Sequence, residues 1–316
     1  MRLSPAGRVF VTAMFLAFSL PFLPLILASF AFRWHWPELL PTQWLWDVRG
    51  TTPYPVGWDY LFSPISGLGP AFANTVVIGI ATAILAVAVS LPAARVLARY
   101  RFRGKAIVEF FLLVPVIVPQ IAVGIGMLLL FMRIGIARTY AGIVLAHLVP
   151  TIPYAVRILT AVFQNLDPGY EEQARTLGAG RLTAFFRIVI PMVMPGLATA
   201  FLFSFLISSN VFLLTFLISG GRLQTLPTML FSHIESGAAL DATTAGLVLI
   251  VSVPGLVFLI IADWLTGDHT ALGRTSITPS TRAPCSPFSA TTSGVLPRRA
   301  TSATALFTSA GSRPPL

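Results

Sequence analysis

Long apolar blocks separated by short polar segments dominate the sequence. We place about six such blocks at Val9–Phe32, Ala73–Leu97, Ala106–Phe131, Tyr140–Phe163, Met192–Ile218 and Thr243–Leu265. Each block approaches or exceeds the roughly 20 apolar residues that a helix needs to cross a bilayer core about 30 Å thick. Because an unpaired backbone amide is costly in lipid, the blocks are expected to be helices. The pattern predicts an all-α, multi-pass membrane protein.

Prolines within the blocks favour a packed bundle over isolated anchors. They are Pro21, Pro24, Pro115, Pro119, Pro150, Pro153 and Pro254. A proline in a membrane helix is tolerated when neighbouring helices satisfy the carbonyls that it frees.

The composition supports the membrane interpretation. The chain is 55% hydrophobic and 10% charged, with a mean hydropathy of +0.82, whereas soluble domains carry roughly 25% charged residues. The net charge of +10 would suggest nucleic acid in a soluble protein. Here the basic residues cluster between apolar blocks, so membrane orientation explains them and no nucleic-acid partner is expected. The one cysteine, Cys285, excludes an intrachain disulfide and a thiolate metal cluster.

The N-terminal block raises the question of a signal peptide, because it follows Arg2 and Arg8. Its apolar stretch is longer than the usual 7–15 residues of a signal-peptide core, and no A-x-A site ends it. We interpret it as an uncleaved first helix.

Basic residues also predict the orientation. With the N-terminus inside, the outer face carries Arg33, Arg49, Arg133, Arg138 and Arg222. The cytoplasmic face then carries Arg2, Arg8, Arg95, Arg99, Arg101, Arg103, Lys105, Arg157, Arg175, Arg181 and Arg187. This excess follows the positive-inside rule. An even number of helices places both termini in the cytoplasm.

Three regions follow from these patterns. Residues 1–70 hold the first helix and an outer loop, residues 71–267 the remaining five helices, and residues 268–316 a tail. The outer loop is rich in tryptophan, namely Trp34, Trp36, Trp44, Trp46 and Trp58, which predicts an interfacial belt or, as the alternative, a binding role. The tail from Arg274 lacks acidic residues and apolar periodicity, so we expect it to be disordered. Its abrupt change of character is also compatible with an altered reading frame.

The segment Asn165–Pro191, between the fourth and fifth blocks, is predicted to be a cytoplasmic docking element. Asp167 and Pro168 are typical of a helix start, and Glu171 complements the helix dipole and can reach Arg175 at i,i+4. The residues Tyr170, Ala174 and Leu177 share one face by their spacing. Gly178 and Gly180 end this short helix, and a second helix from Leu182 runs through Pro191 into the fifth block. An interfacial helix in the headgroups is the alternative, but the acidic start argues against it.

At these residues the sequence resembles a known family. Glu172-Gln173-Ala174, Gly178, Ile188, Ile190 and Pro191 match the spacing of the motif E-A-A-x3-G-x9-I-x-L-P, with Gln173 and Ile190 as substitutions. This motif marks the permease subunits of binding-protein-dependent ABC importers. Further similarity to the spermidine/putrescine-type subgroup lies in Phe72–Thr75, Leu91–Arg99 and Gly220–Pro227, within a resemblance from about Phe72 to Leu265.

The resemblance implies a six-helix type I ABC importer transmembrane domain in a bacterial inner membrane. It implies two ABC ATPase subunits, a second permease that is a copy or a different chain, and an extracytoplasmic solute-binding protein. It also assigns ATPase coupling to a set of residues in Asn165–Pro191: Tyr170, Glu171, Glu172, Ala174, Leu177, Gly178 and Pro191.

Catalytic machinery is not evident in the sequence. The only lysine, Lys105, precedes Ala106, so the chain has no G-x4-G-K-[ST] phosphate-binding loop. Its histidines are scattered, and His147 in the fourth block is most simply a packing group, although intramembrane ionisable residues are often functional. We expect no enzymatic activity, cofactor or metal.

A polar stretch in the fifth block is a candidate lining of the translocation path. It comprises Ser208, Ser209 and Asn210, with Thr215 beyond them. Polyamine permeases often have an acidic pair here, suited to a cation, whereas this stretch is neutral. Small polar residues also hold helices together in lipid, so path lining and helix packing both remain open.

Two other functions are compatible with the pattern. A stand-alone secondary transporter would use buried carboxylates or broken helices, but the predicted spans have no acidic residue near their centres. A membrane scaffold would leave the intramembrane polar residues without a role. A small solute, such as a polyamine or a related organic compound, carried by an ABC importer is the leading hypothesis.

Overall fold

The computed structural model describes residues 5–34, 38, 40–236 and 241–272. The described chain is mostly helical, as predicted. In chain order the helices are α1 Pro5–Ser19, α2 Phe22–Ser29, α3 Leu45–Val48, α4 Trp58–Leu61, α5 Leu68–Arg99, α6 Lys105–Ile117, α7 Gln120–Arg133, α8 Tyr140–Asn165, α9 Gly169–Thr176, α10 Arg181–Ala184, α11 Ile190–Asn210, α12 Leu213–Ser219, α13 Leu226–Glu235 and α14 Ala242–Leu272. A π-helical turn, Phe185–Val189, joins α10 to α11, and β1 Ala31–Arg33 pairs antiparallel with β2 Gln43–Trp44. The predicted disordered tail lies outside the described residues from position 273 onward.

Four helical stretches of the described chain are long and apolar enough to cross a membrane. They are Gly7–Ser29, Leu68–Arg99, Tyr140–Asn165 and Arg181–Asn210. The pair α6–α7 adds a fifth when it is counted as one span, and α14 contributes a shorter apolar stretch, Ala242–Phe258. Every predicted block therefore contains helix. The first stretch has none of its most apolar window buried, as expected for a helix surrounded by lipid.

The core of the bundle is formed by α5, α8 and α11, which pack against one another. Leu159 and Phe163 of α8 are buried with Ala94 of α5 and Val193 of α11. A Cβ atom on Gly196 of α11 would lie 2.4 Å from a methyl group of Val162 in α8, so these two backbones approach closely. Such close contact through small residues is how helices associate in lipid, where apolar side chains gain little by leaving the solvent.

The third apolar block is broken, so the expectation of one helix over Ala106–Phe131 is wrong. The helices α6 and α7 are bent by 95° at residues 118 and 119. Val118 is extended because the ring of Pro119 disfavours a helical conformation in the residue before it. No residue of α6 is buried within the described chain, and α6 contacts chiefly α8.

The fifth block is also interrupted, which corrects the expectation of one helix over Met192–Ile218. The helix α11 ends at Asn210, Val211 is extended, and α12 begins at Leu213. Beyond it, the Thr75 hydroxyl of α5 accepts a hydrogen bond of 2.9 Å from the backbone amide of Leu226, which begins α13. The last helix, α14, continues to Leu272, past the boundary that we place at residue 267.

Segments predicted on the same side of the membrane lie together in the structure. At one end, Asn74 of α5 donates to the carbonyl of Gln224 at 2.8 Å and accepts from the Tyr140 hydroxyl at 2.6 Å. At the other end, the Lys105 ammonium donates to the carbonyl of Leu97 at 2.7 Å. The bundle thus has two distinct ends, which we call the predicted outer end and the predicted cytoplasmic end.

The predicted outer loop is ordered by short elements that the sequence pattern does not reveal. Trp44 and Trp46 stack with ring centres 4.8 Å apart. Arg49 donates two hydrogen bonds to Asp59, one of 2.9 Å from Nε, and this hydrogen bond lowers the pKa of the Asp59 carboxyl. Trp58 packs beside Phe30 and Phe62, so its indole contributes to packing within the loop. The interfacial role of the other tryptophans stays a prediction.

Candidate functional site

The predicted coupling segment forms the short helix α9 between α8 and α10. The Asp167 carboxylate accepts a 2.8 Å hydrogen bond from the amide of Gly169, which confirms that Asp167 satisfies a free donor at the helix start. Pro168 precedes the first assigned helical residue, Gly169, one position later than expected. Ala174 is the one buried residue of α9. Through this small residue α9 packs closely on the bundle.

The outward surface of α9 is unusually open. Leu177, just beyond its last turn, is 89% exposed, and Tyr170 is 48% exposed. Glu172 is exposed as well. The three residues expected on one face therefore differ in exposure, since Ala174 faces the bundle while Tyr170 and Leu177 remain accessible. The arrangement leaves an apolar and acidic surface on a rigid short helix, which is what a groove on a partner can bind.

Gly178 ends α9 in a specific backbone motif. Its amide donates to the carbonyl of Arg175, and the amide of Ala179 donates to the carbonyl of Ala174, each at 3.0 Å. These two bonds form a Schellman motif, which requires a left-handed residue at the position of Gly178. Gly178 has a φ of +88°, and among the described residues no atom beyond its two chain neighbours lies within 4 Å of the position that a Cβ atom would take there. A side chain at Gly178 would therefore be disfavoured by backbone strain rather than by a clash.

Arg95 of α5 anchors α9 to the bundle, a contact that sequence reasoning missed. Its Nη2 atom lies 2.6 Å from the Oε1 atom of Glu171, and its guanidinium carbon lies 4.5 Å from the centre of the Phe185 ring. Glu171 thus pairs with Arg95, and the expectation that it reaches Arg175 is wrong. The cation–π contact and the ion pair together join α5, α9 and the π-helical turn.

The second helix of the predicted coupling segment runs directly into the bundle, as expected. It begins at Arg181 and continues through the π-helical turn into α11, where Pro191 is the second residue. The amide of Ile190 donates to the carbonyl of Phe185, five residues back, immediately before the proline that lacks an amide hydrogen. The helix is therefore continuous from Arg181 to Asn210, and the turn at Gly178 separates it from α9.

At the far end of α11, the structure brings together three residues that the sequence leaves separate. His147 of α8 is buried, and its Nδ1 and Nε2 atoms each lie 2.8 Å from a hydroxyl oxygen, of Ser208 in α11 and of Thr215 in α12 respectively. The Thr215 hydroxyl donates its one hydrogen to the carbonyl of Val211, so Nε2 donates to Thr215 and Nδ1 accepts from the Ser208 hydroxyl. His147 thereby ties α8 to both sides of the break between α11 and α12.

The other two candidate residues of the translocation path, Ser209 and Asn210, make hydrogen bonds within α11. Ser209 is buried and donates to the carbonyl of Phe205 in its own helix, and a Cβ atom on Gly79 would lie 3.3 Å from its hydroxyl oxygen. Asn210 is exposed and donates to the carbonyl of Leu206. Within the described chain, three of the four candidates are therefore buried against neighbouring helices, and Asn210 alone is accessible.

Removing the Ser208 hydroxyl is expected to lower the free energy of unfolding by about 1 kcal/mol, since hydrogen bonds between membrane helices contribute about 0.6 and at most 1.7 kcal/mol. Ser204→Ala is the matched control. Ser204 is also a buried serine of α11, but its hydroxyl donates only to the carbonyl of Ala200 in the same helix. Unfolding in mixed detergent micelles measures both variants, and equal losses would show that the contact with His147 contributes nothing.

The part of the chain that resembles known proteins includes both α9 and the residues around His147. The family described as "Binding-protein-dependent transport system inner membrane component" matches residues 86–267. The chain is 31% identical over 189 residues to the spermidine/putrescine transport system permease protein of Haemophilus influenzae, covering 60% of this chain and 74% of that protein. It is 27% identical over 213 residues to the protein of the same description from Escherichia coli K12, covering 67% and 80%.

A solved structure shares the fold. A bacterial ABC transporter involved in the import of the acidic polysaccharide alginate aligns with a TM-score of 0.61, over 88% of this chain and 100% of that chain. At 16% sequence identity the likeness concerns the fold alone. The residue range matched by the family contains α9, the Arg95 anchor and the His147 cluster.

Proposed function

The chain belongs to the binding-protein-dependent transport system inner membrane components, and from this premise we propose how its residues serve transport. It is the permease subunit of a binding-protein-dependent ABC importer. The family match over residues 86–267 is the observation that carries this conclusion. The ABC importer permease therefore replaces the hypotheses of a secondary transporter and of a membrane scaffold. We propose that the chain has no enzymatic activity of its own.

In the proposed assembly, α9 docks on a separate ABC ATPase. Three observations support this docking. Leu177 and Tyr170 are exposed, and α9 ends in a Schellman motif at Gly178. The helix is continuous from Arg181 through Pro191 into α11. A second permease completes the path across the lipid bilayer, and an extracytoplasmic solute-binding protein delivers the solute. Residues 71–267 are proposed to be the transport core, residues 1–70 the first helix and outer loop, and residues 268–316 an accessory tail.

The translocation path is proposed to run beside the break between α11 and α12. Asn210 is the candidate that would face the solute, because it is exposed at the end of α11. Ser208 and Thr215 would act through His147 by fixing the shape of the break. Ser209 would hold α11 against α5.

The proposed solute is a polyamine or a related organic compound. The two relatives are spermidine/putrescine permeases by description. The stretch from Ser208 to Asn210 is neutral, so the path would offer a cation little compensation for lost hydration. Selection would then rest mainly on the binding protein.

Uptake of radiolabelled spermidine tests this substrate class. Vesicles would contain the chain reconstituted with its ATPase, partner permease and binding protein. ATP-dependent, saturable uptake that unlabelled putrescine inhibits is expected. ATP hydrolysis stimulated by the loaded binding protein without uptake of either amine would contradict the substrate, while leaving the importer assignment intact.

Both termini are proposed to be cytoplasmic, on the basis of the charge asymmetry. In a Cys285→Ser background, a cysteine replacing Thr51 is expected to react with a membrane-impermeant maleimide in intact cells. A cysteine replacing Phe102, which is exposed in the loop between α5 and α6, should react only after the membrane is opened. The reverse labelling pattern would invert the topology.

A further inference from the structure

A pocket at the predicted cytoplasmic end of the bundle contains opposite charges that are not paired with each other. It has a volume of about 380 Å³ and lies between the ends of α5, α6 and α8. Glu109 and Arg157 both line it. The nearest cation to Glu109 is Lys105 at 3.9 Å, and Arg157 makes no ion pair or hydrogen bond within the described chain. The Glu109 side chain is 51% exposed, and Arg157 is exposed as well.

The rest of the lining is part polar and part apolar. The Thr160 hydroxyl oxygen is buried without a partner among the described residues, and Gln164 lies one turn further along α8. On the other side are Leu112 and Leu113 of α6. Because α6 has no buried residue, the described chain leaves this side open to whatever surrounds the bundle.

The position of Arg157 along α8 places its side chain within reach of the lipid headgroups when α8 is centred in the bilayer. At 26 residues, α8 is about 39 Å long, which exceeds the roughly 30 Å of the hydrocarbon core. Arg157 lies eight residues before its last residue, Asn165, about 12 Å along the axis. A long arginine side chain can extend from that depth to the level of the phosphates.

We propose that this pocket binds the headgroup of a zwitterionic aminophospholipid from the cytoplasmic leaflet. The Arg157 guanidinium would bind the phosphate, for which its planar set of donors is suited. Glu109 would accept hydrogen bonds from the primary ammonium, and Gln164, which lies nearer the end of α8 than Arg157, would contact the headgroup from the cytoplasmic side. The leucines of α6 would lie against the acyl chains. A phosphatidylcholine headgroup has no N–H donor and phosphatidylglycerol has no cation, so both would satisfy only the Arg157 half of the site.

Native mass spectrometry of the purified complex tests this with phosphatidylethanolamine, phosphatidylcholine and phosphatidylglycerol as added probes. We expect phosphatidylethanolamine to be retained at least about fivefold better than the other two. Arg157→Gln should abolish retention of all three, and Glu109→Gln should remove the preference for phosphatidylethanolamine. Arg103→Gln, which alters an exposed basic residue of the neighbouring loop, is the matched control and should retain the lipid normally.

Three results would overturn the proposal. Equal retention of the three lipids by the unmodified chain would exclude recognition of the ammonium group. Displacement of the lipid by soluble phosphoethanolamine at equal concentration would indicate a soluble ligand rather than a membrane lipid. Loss of the partner permease in Arg157→Gln, without any change in lipid retention, would show that a permease covers this pocket.

Discussion

Reversing the charge of Arg95 is expected to reduce coupled transport about tenfold while the protein still reaches the membrane. Arg95→Glu removes the 2.6 Å contact with Glu171 and the cation–π contact with Phe185. Hydrogen bonds to charged groups contribute about 1.5–3 kcal/mol, although partial exposure of this pair reduces that value. A net loss of one or two kcal/mol changes an equilibrium by a factor of about 5–30. The population of α9 held in its docking position would fall accordingly.

A charge swap separates this anchor from a general effect of altered charge. The double variant Arg95→Glu with Glu171→Arg should recover part of the activity, but not all of it, because a glutamate cannot stack on Phe185. Arg99→Glu, one turn further along α5, is the control and should retain most transport, since Arg99 has no contact with Glu171. Uptake and ATPase stimulation in vesicles measure all four proteins. An Arg95→Glu variant as active as Arg99→Glu would eliminate the anchor.

Replacing Gly178 by valine is expected to uncouple ATP hydrolysis from transport. At a φ of +88° a β-branched side chain costs about 1–2 kcal/mol, so the Schellman end would give way and α9 would be redirected. If the free energy of docking is weakened by that amount, the equilibrium constant for docking falls about 5–30-fold. Substrate binding by the separate binding protein should be unchanged.

Gly180→Val provides the matched comparison two residues away. Gly180 has φ −64° and ψ 157°, a conformation open to any residue. Apart from its chain neighbours, the hydroxyl oxygen of Thr183, at 3.9 Å, is the one atom of the described residues within 4 Å of a Cβ placed there. Transport and ATPase stimulation by the Gly180→Val variant should therefore stay within about twofold of those of the unmodified protein. Equal losses in both variants would show that the loop tolerates no side chain for reasons unrelated to the conformation of Gly178.

Much of the fold could be predicted because lipid restricts the possibilities. Apolar blocks of adequate length must be helical, and every predicted block contains helix. The helix start at Asp167 and its end at Gly178 were also accessible, because capping depends on neighbouring residues along the chain. These local signals placed the start of α9 to within one residue.

Breaks within apolar blocks could not be read from hydropathy, since apolar residues continue through them. Pro115 and Pro119 carry the same chemical signal, yet α6 accommodates the first and ends before the second. The sequence around the two prolines does not show which of them ends the helix. The break after Asn210 had a weak signal in the run of Ser208, Ser209 and Asn210, which could also be interpreted as path lining.

Long-range polar contacts were the other part that sequence could not provide. Arg95 and Glu171 are 76 positions apart, and His147 is 61 positions from Ser208. No periodic spacing links residues so far apart in the chain. From the sequence alone, Arg95 is therefore recognised only as a positive charge on the cytoplasmic face and His147 only as an isolated imidazole in an apolar block. The fold turns both into contacts between helices.

Photo-crosslinking from position 177 tests the central proposal most directly. Leu177 is 89% exposed at the end of α9, so a photoreactive amino acid there should crosslink to an ABC ATPase, identified by mass spectrometry of the covalent product. The same group at Tyr54, which is 76% exposed in the predicted outer loop, should give no such product. ATPase crosslinks from position 177 alone are the predicted result. Crosslinks from position 54, or none from position 177 in a transport-competent complex, would contradict the account.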